Sequence, residues 1–290
     1  MKSQNLVANR FDKAAKIYDQ YAWLQQEIGQ RLSEKLAILK APPRQILDIG
    51  QGTGWLCRQL SHQDKIRLYG IDIAYAMCHF AKQQFKPSSW LSLKKKPLPQ
   101  FIQANALQLP FLNEKFDLLI SNCVFQWCDD LARVFRECHR VLTLQGSLFF
   151  SSFGPDSLQE LKQCAQKISS TPHVHDFRDM HDIGDILLST YFTDPIVDME
   201  KITAFYPTLH SLLIDLKKIG ATNQHPQRNK GLTASNWFKK LEAEYEKFRT
   251  PEGLPVTWEV VYGHATKTMP LPTTWQDREG KIFTSVRRKS

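Results

Sequence analysis

Glycine occupies alternate positions of the segment 50–54, between the short apolar run Gln45–Ile49 and a helical pattern that begins at Trp55. The glycines are Gly50, Gly52 and Gly54. A short apolar run is typical of a strand buried in a parallel sheet. Because glycine has no Cβ, the backbone can turn tightly and approach a ligand closely. The free N–H groups at the start of the next helix would point at that ligand. The segment therefore predicts a strand, a ligand-binding turn and a helix.

The alternation of apolar runs and amphipathic segments continues to residue 153. It predicts strands at 45–49, 66–71, 101–103, 116–121 and 147–152, and helices at 55–60, 75–85 and 130–142. Such alternation indicates a mostly parallel sheet with helices on both faces, and right-handed crossovers make the sheet doubly wound. Ligands in these α/β folds bind beyond the carboxyl ends of the strands. We therefore expect the functional site at that edge.

The flanking segments complete the predicted architecture. A loose lead-in at 1–10 precedes one long helix at 11–39, which has apolar residues at spacings of three and four. Beyond residue 153, the pattern predicts helices at 155–168, 181–188, 209–216 and 236–248, and strands at 196–203 and 256–265, which would make a seven-stranded sheet. We expect a helical lid at 1–40, a main domain at 41–266 with cap helices at about 204–250, and a flexible tail at 267–290.

Two acidic residues indicate which ligand the glycine turn binds. Asp48 ends the first strand, where a buried carboxylate is costly without a cationic or hydrogen-bonding partner. The ammonium group of a methionine moiety is a suitable partner, whereas a pyrophosphate would be repelled. Asp72 ends the second strand, where an acid can accept hydrogen bonds from both ribose hydroxyls. Asp72 could instead cap the following helix. Together the two acids favour S-adenosylmethionine over a dinucleotide.

Polar and aromatic residues follow the third and fourth strands. Asn105 lies just after the third strand, where its amide could bond the adenine amino group, although it could also be an ordinary polar loop residue. Asn122 closes the fourth strand, and Phe125 and Trp127 follow it. These aromatic side chains could form a wall of the ligand pocket or belong to the core.

In this order, these elements resemble the class I methyltransferase superfamily, with its Rossmann-like α/β fold, over about residues 40–155. The resemblance implies that Asp48 and the three glycines hold the amino-acid end of S-adenosylmethionine. Asp72 and Ile73 would then bind the ribose, Asn105 and Ala106 the adenine, and Asn122 would line the pocket of the methyl donor. Two positions depart from the usual pattern: Gln51 stands where Cys or Ser is usual, and Asn105 where Asp is usual.

A closer resemblance covers about residues 9–266. The segments 9–19, 126–130, 153–161, 179–185, 215–221 and 260–265 look like those of the malonyl-[acyl-carrier protein] O-methyltransferase family of biotin synthesis. This implies methyl transfer to the free carboxylate of a malonyl thioester, which is ionised at neutral pH and needs no general base. Tyr18, on the N-terminal helix, could fold over the cofactor as a lid or could belong to the core. The candidate residues for the substrate are Trp127, Arg178, Lys217, Lys218 and Arg228.

Composition narrows the choice of partner and compartment. The net charge of +9 suits an acidic partner such as acyl-carrier protein, and it is partly concentrated in two runs at 94–96 and 287–289. Six scattered cysteines and the lack of a long apolar stretch favour a cytoplasmic protein with no membrane partner. The histidines and aspartates at 173–182 fit a helix start better than a metal site. We expect no bound metal and no nucleic-acid partner.

Three alternative functions stay open at this stage. The chain could be a related S-adenosylmethionine-binding protein similar to the hydroxylase-like assembly factors of mitochondrial respiratory complex I. It could be a nucleic-acid methyltransferase that uses its basic runs, although Ser121 and Asn122 begin a segment unlike the tetrad that base-methylating relatives commonly use. It could also bind the cofactor without catalysis. The sequence does not determine the oligomeric state.

Overall fold

The computed structural model describes residues 2–62, 66–85, 97–168, 176–220, 235–268, 274–276 and 282–284. Within these ranges, the helices are α1 (Lys2–Ala14), α2 (Tyr18–Tyr21), α3 (Trp23–Lys35), α4 (Trp55–Leu60), α5 (Tyr75–Gln84), α6 (Leu131–Val141), α7 (Gln159–Ile168), α8 (Met180–Ser189), α9 (Leu209–Lys218) and α10 (Ser235–Tyr245). Short 3-10 turns lie at Leu36–Ile38, Phe125–Trp127 and Glu246–Phe248.

In the described part of the chain, seven strands form one sheet. They are β1 (Gln45–Ile49), β2 (Arg67–Asp72), β3 (Gln100–Gln103), β4 (Phe116–Ser121), β5 (Leu142–Phe153), β6 (Thr193–Tyr206) and β7 (Leu254–Thr266). Their order in space is β3-β2-β1-β4-β5-β7-β6. Strands β1 to β5 are parallel, and β7 runs antiparallel to both β5 and β6.

This order confirms the predicted doubly wound, mostly parallel, seven-stranded α/β sheet. The chain moves outward from β1 to β3 and then returns to place β4 on the other side of β1. The reversal creates a crevice between the carboxyl ends of β1 and β4, which is where ligands bind in open α/β sheets. The glycine turn follows β1 directly, so it lies at this crevice.

Helices cover both faces of the sheet because successive strand residues point to opposite sides. In β1, Ile46 packs into the core beneath α3, α4, α7, α9 and α10, whereas its neighbour Leu47 packs into the core beneath α6 and α8. Both side chains are fully buried. The apolar run of β1 therefore reflects burial on two faces, as the sequence predicts.

The N-terminal region differs from the sequence-based prediction. The lead-in expected at 1–10 is helical, since α1 covers Lys2–Ala14. The single helix expected at 11–39 is instead interrupted, because α1 ends at Ala14 and α3 begins only at Trp23. Val7, Ala14 and Tyr18 follow a helical spacing, but they pack at the edge of the sheet. The leucines of α3 pack against the face of the sheet instead. Two different packing surfaces require a bend between them.

Most of the remaining elements lie near their predicted positions, but the helix predicted at 155–168 begins only at Gln159. The fifth and sixth strands are longer than predicted. β6 pairs with β7 along almost its whole length, whereas β5 begins at Leu142, opposite Phe116 of β4, and pairs with β7 only from Ser147. Within the tail predicted at 267–290, two short strands, β8 (Thr274–Gln276) and β9 (Ile282–Thr284), pair antiparallel. The flexibility of this tail stays a prediction. The basic runs at 94–96 and 287–289 lie outside the described residues. None of the described helices is long and apolar enough to cross a membrane.

The pairing of β5 with β7 yields a test of the fold. Gly263 lies opposite Phe150, and a Cβ at Gly263 would come within 2.1 Å of the Phe150 ring. We expect Gly263→Ala to lower the free energy of unfolding by about 1–3 kcal/mol, because the buried ring has to move. The measurement is chemical denaturation of the purified protein.

Gly184→Ala is the matched control for this substitution. Gly184 lies inside α8, and the nearest atom to its added Cβ would be 3.8 Å away, in Val197. Alanine should therefore stabilise the protein by about 0.5–1 kcal/mol through its better helix propensity. Equal stability of the two variants would contradict the described strand register.

Candidate active site

Backbone hydrogen bonds connect the glycine turn to the second strand, β2. The backbone N–H groups of Gly50 and Gln51 both donate to the carbonyl oxygen of Ile71, at 2.7 and 3.0 Å. Gly50 has a φ of 73°, and an added Cβ would lie 2.3 Å from the side chain of Val124. Gly52 also has positive φ. Only glycine adopts this path without strain, so the turn can lie close against a ligand.

Asp48 is a buried carboxylate beside this turn. Its side chain is 1% exposed, and the thiol of Cys57 donates to it at 3.4 Å. Burial raises the pKa of Asp48 to about 7; the Cys57 hydrogen bond lowers the pKa, and the nearby Asp72 raises it. In the described part of the chain, no cationic side chain pairs with this carboxylate, so it fits the ammonium group expected from the sequence.

Asp72 connects the end of the second strand to the turn. One carboxylate oxygen accepts the N–H of Gly52 at 3.0 Å, and the other accepts the N–H of Ala74 at 2.8 Å. Ala74 is the N-cap residue of α5, so this bond forms a tight turn ahead of the helix, and Asp72 does not itself cap α5. Burial raises the pKa of Asp72 to about 6, and the backbone N–H groups oppose that shift. Its remaining lone pairs are available to ribose hydroxyls.

A cavity of about 980 Å³, including its open mouth, extends from the turn across the carboxyl ends of the strands. Its walls contain most of the predicted site residues: Tyr18, Gly50, Gly52, Asp72, Ile73, Asn105, Ala106, Asn122 and Trp127. A smaller adjoining cavity contains Asp48 and shares Tyr18, Gln25 and Asn122 with the larger one. Gly54 instead packs beneath α5, where an added Cβ would lie 3.2 Å from Ala81.

Two predicted ligand residues already have hydrogen-bond partners. The Asn105 side-chain oxygen accepts the N–H of Leu107 at 2.9 Å, and its amide donates to Gln4 at 2.6 Å. The Asn122 amide donates to the Gln25 carbonyl oxygen at 2.7 Å, and its oxygen accepts the Ser151 hydroxyl at 2.7 Å. Both residues line the cavity, and both tie N-terminal helices to the sheet. Their contacts with the cofactor stay predictions.

Tyr18 lies where the two cavities meet. Burial raises the pKa of its hydroxyl, and Cys123, Asp72 and Asp19 raise the pKa further. The hydroxyl therefore stays protonated and can act as a hydrogen-bond donor. Phe11 packs edge-on against Tyr18 at 6.3 Å between ring centroids, and against Trp127 at 6.0 Å. This aromatic row closes one side of the larger cavity.

The basic candidates for the substrate lie elsewhere. Arg178 is exposed and donates to the carbonyl oxygen of Asp129 at 3.3 Å. Lys217 and Lys218 are exposed on α9, and the Lys218 amine lies 5.7 Å from the centre of the Tyr21 ring. Arg228 lies outside the described residues. Among the described residues that line the larger cavity, none is lysine or arginine.

Several cavity residues were not predicted from the sequence. Gln4, Val7 and Phe11 on α1, and Gln25 on α3, line the larger cavity. The Gln25 side-chain oxygen is buried without a hydrogen-bond partner. The helical spacing of residues 7, 11, 14 and 18 is a signal that could have placed α1 at the site. No sequence signal indicated Gln25.

Trp258 on β7 also lines the larger cavity, next to Phe153 of β5. These two residues are far apart in sequence, and only the antiparallel pairing of their strands brings them together. The buried Gln25 oxygen, the two carboxylates and the close backbone of the turn together fit the polar groups of S-adenosylmethionine.

This chain is similar to known proteins both within one domain and over nearly its full length. The methyltransferase domain family matches residues 47–150. The malonyl-[acyl-carrier protein] O-methyltransferase of Legionella pneumophila is 40% identical over 269 residues, which cover 92% of each chain. That of Gallionella capsiferriformans is 40% identical over 283 residues, which cover 96% of this chain and 95% of the relative.

Solved structures agree on the fold. A putative methyltransferase of Bacillus halodurans superposes with a TM-score of 0.58, covering 84% of this chain and 100% of the other at 14% identity. Phosphoethanolamine N-methyltransferase 2 of Haemonchus contortus, in complex with S-adenosyl-L-methionine, gives a TM-score of 0.55 at 17% identity. It covers 89% of this chain and 57% of the other.

The family assignment rests on the sequence relatives, because their similarity to this chain extends over nearly the whole of both proteins. The fold, with its antiparallel seventh strand, and the cavity beside the glycine turn agree with it. The chain therefore belongs to the malonyl-[acyl-carrier protein] O-methyltransferase family.

Proposed function

We propose that this protein transfers a methyl group from S-adenosylmethionine to the free carboxylate of malonyl-[acyl-carrier protein], an early step of biotin synthesis. The observation that carries the proposal is the 40% identity to relatives of that name over more than nine-tenths of the chain. S-adenosylmethionine is the methyl donor, and it supplies an electrophilic methyl group on a positively charged sulfur when bound.

The roles of the cavity residues follow from their positions. Asp48 holds the ammonium group of the donor, and its burial without a described cation supports this role. Gly50 and Gly52 let the backbone approach the donor. Asp72 and Ile73 hold the ribose, since both line the cavity at the end of β2. Asn105 and Ala106 border the adenine, and Asn122 lines the pocket of the methyl group.

The segment 1–40 acts as a lid. Side-chain hydrogen bonds join it to the main domain around the cavity: Gln4 with Asn105, Asp12 with the Ala76 N–H, Asp19 with Thr53 and Arg58, and the Asn122 amide with the Gln25 carbonyl oxygen. Tyr18 and Phe11 close the cavity on this side. The helices at about 204–250 form the cap, and the end of α9 meets the lid there: Ile219 lines the cavity, and its neighbour Gly220 lies beside Phe11. Closure excludes water and holds the reactants for in-line attack.

The substrate needs no general base, because its carboxylate is already ionised at neutral pH. Trp127 forms part of the acyl pocket wall. The exposed Arg178, Lys217 and Lys218 face solvent and are available to the acidic surface of the carrier protein, in keeping with the net charge of +9. Arg228 stays a further candidate for substrate binding. The six free cysteines, five of them buried, support a place in the reducing cytoplasm.

The first test is a methyl-transfer assay. Malonyl-[acyl-carrier protein], incubated with the protein and methyl-labelled S-adenosylmethionine, should gain the mass of one methyl group on its acyl chain. Acetyl-[acyl-carrier protein] is the matched control, because it lacks the free carboxylate. Parallel reactions with malonyl-coenzyme A, RNA and DNA cover the alternative substrates. The absence of transfer to either malonyl thioester, despite binding of the methyl donor, would refute the proposal.

The second test concerns Asp48. Asp48→Asn should weaken S-adenosylmethionine binding by about 10- to 100-fold, because it removes the negative charge that strengthens the hydrogen bond to the ammonium group. Isothermal titration calorimetry at pH 8 measures this. Glu252→Gln, which neutralises an exposed carboxylate, is the control and should leave the affinity unchanged. An unchanged affinity of the Asp48→Asn protein would place the ammonium group elsewhere.

The same substitution has a predicted effect on the ligand-free protein. Since the pKa of Asp48 is about 7 when folded and about 4 when unfolded, its ionisation opposes folding as pH rises through this interval. Asp48→Asn removes this cost. Its melting temperature should therefore exceed that of the wild type by a margin that grows from about pH 4 to pH 7 and then levels off. A margin independent of pH would contradict the assigned burial.

A further inference from the structure

Trp258 has a defined position beside the acyl part of the cavity. Because β7 runs antiparallel to β5, its N-terminal half lies at the carboxyl edge of the parallel strands. Val260 pairs with Phe153, the last residue of β5, and Trp258 precedes it by two residues on the same face. The rings of Trp258 and Phe153 pack at 5.1 Å between centroids. The indole therefore belongs to the site edge.

Among the described residues, the indole N–H of Trp258 has no hydrogen-bond partner. The residue is 4% exposed, its Nε1 atom is buried, and no described acceptor lies within bonding distance. A buried tryptophan N–H usually finds an acceptor, because an unsatisfied buried polar group destabilises the protein. Trp258 lines the larger cavity, so a ligand bound there is a candidate for the missing acceptor.

The proposed substrate brings an acceptor into this cavity. Its carboxylate loses hydration water on entry and needs hydrogen-bond donors in return. No described residue in the cavity wall is lysine or arginine, so the described wall offers neutral donors only. Next to Trp258 the wall contains the apolar ring of Phe153, and Phe11 and Ile219 are further apolar residues of the same cavity. A hydrogen bond is stronger in such surroundings than in water.

We propose that the indole N–H of Trp258 donates a hydrogen bond to the carboxylate of the bound malonyl group. This inference rests on the proposed function and adds a residue that selects the substrate. A carboxylate has two oxygens, so the N–H can hold one while the other attacks the methyl group. A neutral donor also leaves the negative charge on the carboxylate, which an arginine partner would partly neutralise. Trp258 thus orients the nucleophile without weakening it.

The test compares Trp258→Phe with the wild type in a binding experiment. Phenylalanine keeps an aromatic ring and removes the N–H. In the presence of S-adenosylhomocysteine, which cannot donate a methyl group, Trp258→Phe should bind malonyl-[acyl-carrier protein] about 10- to 100-fold more weakly than the wild type. Its affinity for acetyl-[acyl-carrier protein] should match that of the wild type, because no carboxylate is present.

Trp237→Phe is the matched control. Trp237 lies on α10 and packs at the border of the same core cluster, away from the cavity wall. This substitution should leave the affinities for both carrier proteins unchanged. An unchanged melting temperature and an unchanged affinity for S-adenosylmethionine in the Trp258→Phe protein would show that its fold and cofactor site are intact.

A second measurement uses the wild-type protein, so it does not depend on how a variant folds. In ¹⁵N-labelled protein with S-adenosylhomocysteine, the indole proton of Trp258 should move downfield when malonyl-[acyl-carrier protein] is added. Acetyl-[acyl-carrier protein] should not move it. A resonance that responds equally to both, or a malonyl affinity of Trp258→Phe within twofold of the wild type, would overturn the inference.

The two proposals fail in different ways. If the wild type transfers no methyl group to malonyl-[acyl-carrier protein], the proposed function is wrong. If the wild type transfers the methyl group but Trp258→Phe binds malonyl-[acyl-carrier protein] as the wild type does, the proposed function stands and only the role of Trp258 is wrong.

Discussion

The buried carboxylates of Asp48 and Asp72 are the constraint on which the rest of the site depends. They end neighbouring parallel strands, and burial raises the pKa of both. Asp72 offsets part of this cost by accepting the N–H groups of Gly52 and Ala74, which also fixes the shape of the glycine turn. The Cys57 thiol donates a hydrogen bond to Asp48, but in the ligand-free protein the burial of this carboxylate still destabilises the fold. Burial of Asp48 therefore lowers the stability of the ligand-free protein, which fits the proposed binding of a cationic group there.

The N-terminal helices depend on the same region. Asp19 bonds Thr53 and Arg58 just after the glycines, and Asp12 caps α5 through the N–H of Ala76. Each contact joins the lid to an element that borders the cofactor site. The proposed lid therefore covers a surface that the turn and α5 already define. Its α3 is also anchored by apolar contacts, because Leu24, Ile28 and Leu32 are buried in the core on one face of the sheet.

The antiparallel strand β7 makes the proposed substrate side of the cavity different from the proposed cofactor side. On the cofactor side, polar groups come from the ends of parallel strands and from the turn. On the substrate side, the reversal of β7 brings Trp258 beside Phe153, and α1 adds Phe11. The wall there is aromatic and offers neutral donors. This division suits a reaction in which a charged nucleophile must be oriented rather than activated.

The sequence by itself determined the sheet, the glycine turn and the two acids, because these depend on local patterns. Apolar runs, glycine spacing and strand-end acids can each be read within a few residues. Tertiary structure alone decided where α1 packs, which partners Asn105 and Asn122 bind, and that Arg178, Lys217 and Lys218 stay outside the cavity wall. It also placed Gln25 and Trp258 in that wall. These outcomes depend on contacts between residues as much as a hundred positions apart. A pattern within a few neighbouring residues cannot predict such contacts.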